Sequence, residues 1–82
     1  MSDQLREALA DVSHEIWAHW MRYLFSVAIT EPDGARTIPA DKVRRWTRQM
    51  ATPYAELPES ERVSDLEQAD KILAVIEAVR NG

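Results

Sequence analysis

The chain has 82 residues, a net charge of −4 and no cysteine, so it is one small domain without disulfides or thiolate metal sites. Its acidic balance excludes wholesale binding to a nucleic-acid backbone, and no apolar run reaches the length of a membrane span. A domain of this size has little core, so the three tryptophans must supply much of the apolar area and oligomerisation is a natural remedy. The opening Met1-Ser2-Asp3-Gln4 has neither the basic nor the apolar region of a signal peptide. With the lack of cysteine, this fits a reducing, cytoplasmic setting.

Leu5, Leu9, Val12, Ile16, Trp20, Tyr23 and Val27 recur at spacings of three and four, which predicts a first helix over about 3–29, capped by Ser2 or Asp3. Trp17, Met21, Leu24, Phe25 and Ala28 widen its apolar face beyond what one small core needs. That surplus is expected to lie at an interface between chains. Glu31-Pro32-Asp33-Gly34 suits a type I turn. The stretch after it, from Ala35 to Ile38, reads as extended chain without a sheet.

Pro39 is expected to open a second helix over about 39–51, at its first helical position. Val43, Trp46 and Met50 would form its apolar stripe, with Arg44, Arg45 and Arg48 opposite. Thr52-Pro53 reads as a cap and first position of a short helical turn over 53–57. Pro58 repeats the device and opens a last helix over about 58–80. Its expected buried stripe is Leu66, Ala69, Leu73, Ile76 and Val79, and its acidic residues, Glu61 among them, would mostly face solvent. Arg62 and Asp65, at i and i+3 on the buried side, are expected to pair. The fold class is therefore all-α: a single domain spanning 1–82, with three main helices, of which the long first and last pack antiparallel.

His14 and His19 are five apart, unlike the i, i+4 pair of a zinc helix, so no metal site is expected. There is no cysteine nucleophile, glycine-flanked serine or glycine-rich phosphate loop, so neither an enzyme nor a bound cofactor is expected.

His14-Glu15-x-Trp17-Ala18, followed by Tyr54-x-x-Leu57-Pro58-Glu59-x-Glu61-Arg62 and Asp65, resembles the ryanodine-receptor repeat (RyR) domain. About a dozen residues carry the resemblance, in the first helix and at the start of the last. That family consists of small, mostly helical modules, repeated in calcium-release channels and present singly in bacteria and phages. Where the repeats have a glycine-bounded segment, Trp20-Met21-Arg22-Tyr23-Leu24-Phe25 continues the helix, implying a diverged, more helical member. The resemblance implies a non-enzymatic module for a nucleotide-like or phosphorylated signalling ligand. A phage-type protein of this sort would counter host defence by sequestering that ligand. The two motif halves sit on different helices, so a pocket would gather His14, Trp17, Tyr54 and Arg62, with Arg45 and Arg48 as outer phosphate contacts. The alternative is a protein–protein interaction module, either a homo-oligomer or an inhibitor of a host protein.

Overall fold

The computed structural model describes residues 2–82, without the side chain of Ser2, so a cap by Ser2 falls outside the described residues. Three helices dominate: α1 (Ser2–Val27), α2 (Ala40–Met50) and α3 (Glu59–Asn81). A 3-10 turn spans Tyr54–Glu56 and two short strands, β1 (Ile29–Thr30) and β2 (Arg36–Thr37), form a hairpin. The long α1 and α3 pack antiparallel, the second half of α1 meeting the first half of α3.

α1 runs 26 residues without proline or glycine. It stops two residues short of the expected end, where β-branched Val27, Ile29 and Thr30 favour extended backbone. The expected absence of a sheet is corrected here. Ile29 pairs with Thr37 and Thr30 with Arg36, antiparallel. The Glu31-Pro32-Asp33-Gly34 turn closes this ladder. The Gly34 N–H donates to the Glu31 carbonyl at 3.0 Å, and the Glu31 N–H donates to the Ala35 carbonyl at 2.8 Å. Gly34 takes φ +92°, a conformation that costs glycine nothing.

The helix-opening prolines sit one position earlier than expected. Pro39, Pro53 and Pro58 each occupy the cap position, with extended ψ of 145°, 148° and 152°. Proline's fixed φ is compatible with this geometry, and its carbonyl takes the first helical N–H groups. The Pro39 carbonyl accepts from Lys42 and Val43, and the Pro58 carbonyl from Glu61 and Arg62, all at 3.0 Å. Thr52 does not cap forward. Its hydroxyl donates back to the Arg48 carbonyl at 2.7 Å and finishes α2.

Along the expected α1 stripe, Leu5, Leu9, Val12, Ile16, Trp20 and Val27 are buried or half-buried, and Tyr23 is corrected to exposed. The other two stripes are corrected in part. On α2, Val43 and Met50 are exposed and only Trp46 is half-buried. On α3, Leu66 and Leu73 face outward, Leu73 with 54% of its surface exposed. Ala69, Ile76 and Val79 of the expected stripe are half-buried, and Glu61, Arg62, Ser64, Gln68, Lys71 and Val75 join them on the inward side. Glu61 is held by arginines of α2, and this anchors the polar face of α3 inward. Leu66 and Leu73 then lie about 120–140° round the helix from Glu61.

Val12 and Leu57 are the only buried hydrophobic residues among the described residues. The Cα extents are 47 × 35 × 16 Å and the radius of gyration is 16.3 Å. A compact domain of this length would have a radius of gyration of about 12 Å. The chain is thus a flat layer of helices rather than a ball.

Candidate ligand cavity between three helices

Three aromatic side chains meet where α1, α2 and α3 converge. Trp20 and Tyr23 sit one helical step apart on α1, their ring centres 6.4 Å apart and edge-to-face. Trp46 on α2 approaches Tyr23 at 6.2 Å. His19 stands edge-on to Trp20 at 4.8 Å. Such tilted arrangements suit the ring quadrupole.

These aromatics wall two hollows. One is an apolar groove of about 360 Å³, completed by Met21, Leu24 and Met50, with Asp65 on its edge. The other is a cavity of about 210 Å³ with a more polar lining that includes Arg45, Glu61, Glu67 and Gln68.

Glu61 and Gln68 are seven residues apart, two helical turns, and so share one face of α3. Glu61 is 5% exposed and Gln68 is 7% exposed. Arg48 donates to Glu61 Oε2 at 2.7 Å, and Arg45 Nε lies 3.7 Å from the same oxygen. Glu61 Oε1 and Gln68 Oε1 are buried with no hydrogen-bond partner among the described residues. Both residues line the 210 Å³ cavity. Two orphaned acceptor oxygens, closed to solvent, thus belong to residues that line it beside flat aromatic faces.

The residues expected to form a pocket are distributed differently. His14 and Trp17 stand together, with ring centres 5.6 Å apart, and both are exposed. Tyr54 is exposed on the 3-10 turn. Arg62 is half-buried and donates to the Leu57 carbonyl at 3.0 Å. Neither hollow is lined by His14, Trp17, Tyr54 or Arg62, whereas Arg45 lines the polar cavity and Arg48 binds its Glu61. The expected Arg62–Asp65 pair is corrected. The carbonyl of Leu57, just ahead of α3, takes the guanidinium, and Asp65 is exposed.

Of the expected interface residues, Trp17 and Phe25 are exposed, and Met21, Leu24 and Ala28 are half-buried. The Arg36 guanidinium lies over the Phe25 ring at 5.5 Å, a cation–π contact tying the hairpin to α1.

Sequence reasoning missed Glu61 and Gln68 as a facing pair. Their i, i+7 spacing was the available signal, but polar residues at that spacing are usually a solvated face.

Among known proteins, the chain matches no family model, no curated protein and no solved structure. Among the described residues no three histidine, aspartate or glutamate side chains gather as metal ligands, and no helix is long and apolar enough to cross a membrane.

Proposed function

We propose that the chain is a non-enzymatic, self-associating helical module of the cytoplasm, completed by a second copy of itself. The surface area carries this reading. One chain exposes 6356 Å². A compact monomer of its mass would expose about 5,000 Å². The excess, about 1,300 Å², is what each partner of an obligate homodimer commonly buries. Leu66, Ala69, Leu73 and Ile76 recur at the 3-4 spacing that lets one helix pack against another. Trp17 and Phe25 on α1 add large exposed apolar surface. Monomers rarely leave so much such surface uncovered.

Sedimentation at micromolar concentration tests this. The expected result is a dimer, and a chain with both Leu66→Glu and Leu73→Glu should run as a monomer. A wild-type chain that stays monomeric would overturn the reading.

A second reading, a module for a nucleotide-like ligand, comes from the RyR-domain resemblance. The observation favouring it is the cavity walled by Trp20, Tyr23 and Trp46, with Arg45 and Arg48 nearby. This differs from a site on His14, Trp17, Tyr54 and Arg62.

A further inference from the structure

We infer that the 210 Å³ cavity binds a planar group presenting two or more N–H donors, as a guanidinium or the amino edge of guanine does. The inference deepens the ligand reading and does not depend on self-association.

The unpartnered oxygens define the chemistry. Buried acceptors are almost always hydrogen-bonded, because removing them from water without a partner is costly. Glu61 Oε1 and Gln68 Oε1 break that rule together, on two side chains that line one cavity. Both are acceptors closed to solvent, so a ligand reaches them only as their side chains turn toward the cavity, and it must then donate. Glu61 is a carboxylate with one oxygen already engaged by Arg48, which leaves Oε1 for a charge-assisted bond. The ring walls of Trp20, Tyr23 and Trp46 favour a flat group, by stacking or by cation–π attraction.

Size agrees. The cavity is many times the roughly 10–15 Å³ of such space that one water needs. One planar group fits this space. A phosphate is disfavoured inside, because the lining carries two acids, Glu61 and Glu67, against one arginine, Arg45. Arg45 and Arg48 are about half exposed, so any phosphate on the ligand would rest on their outer N–H groups.

The test uses the full chain, with methylguanidine and guanosine as probes and uridine as the control. Tryptophan fluorescence reads binding, because two tryptophans wall the cavity. Saturable binding of guanosine alone identifies a base edge, and of methylguanidine alone a cation. Either supports the inference, as does binding of both, provided uridine does not compete. Glu61→Gln should weaken binding at least tenfold, and Gln68→Met should weaken it too, each with an unchanged helical spectrum. If neither probe binds, or if both variants bind as tightly as the wild type, the inference is overturned. A dimer in sedimentation with no probe bound overturns the ligand site while leaving self-association standing. If Glu61→Gln weakens the dimer and no probe binds, the cavity takes a side chain of the second copy, which also overturns it.

Discussion

Glu61 faces inward because two guanidinium groups of α2 reach it, and one of its oxygens is still left over. An ion pair with one buried partner is asymmetric. Removing the exposed arginine strands a charge, whereas replacing the buried acid with an apolar residue of similar volume does not. Arg48→Ala should therefore cost about 1–3 kcal/mol in urea unfolding, and Glu61→Met should cost less. Equal losses would mean that the carboxylate is better solvated than its position implies. None of this was legible locally. Arg48 precedes Glu61 by thirteen positions, and only tertiary packing joins them. Helix spacing suggested an Arg62–Asp65 pair, but it could not register the competing Leu57 carbonyl that takes the guanidinium.

The helices themselves were legible, because α1 and α3 are long and periodic and because prolines mark the starts of α2 and α3. The β hairpin was not, since two-residue strands carry no periodicity. What gives it form is local. Asp33 Oδ1 accepts from the Ala35 N–H at 2.9 Å, and the Thr37 hydroxyl donates to Glu31 Oε1 at 2.7 Å. Gly34→Ala isolates the backbone contribution, because an added Cβ would meet nothing within 4 Å. The left-handed φ alone should then cost about 1 kcal/mol, read as a lowered thermal midpoint. No change would mean that the turn relaxes to another conformation without loss. On α3 the misreading was Leu66 and Leu73, which face outward, while Ala69, Ile76 and Val79 are half-buried as expected. Its apolar stripe was real in the sequence, but pattern alone does not say whether such a stripe packs within its own chain or against another.

At the scale of the whole molecule, α1 and α3 carry the tertiary packing and α2 leans on them through Trp46 and its arginines. A layer 16 Å thick has two broad faces and little interior. If association completes the fold, stability rises with concentration, because dissociation and unfolding are then linked. The site was partly legible. The aromatic and arginine types were foreseen, but the particular aromatics were not. Trp20 and Tyr23 were assigned to the core; Trp20 is half-buried as expected, Tyr23 is exposed, and both also wall the hollows.

The outermost wall of the apolar groove is Met50, with 81% of its surface exposed. Thioethers are soft and oxidisable, and the sulfoxide is polar. This groove therefore carries a redox liability that its aromatic members do not share. Dilute peroxide should convert Met50 well before the half-buried Met21 beside it, as peptide mass spectrometry would resolve. Comparable rates would mean that something covers Met50 in solution. Where the groove is open, one added oxygen would turn part of an oily surface into a wetted one, and contacts made there would loosen until a reductase restored the sulfur.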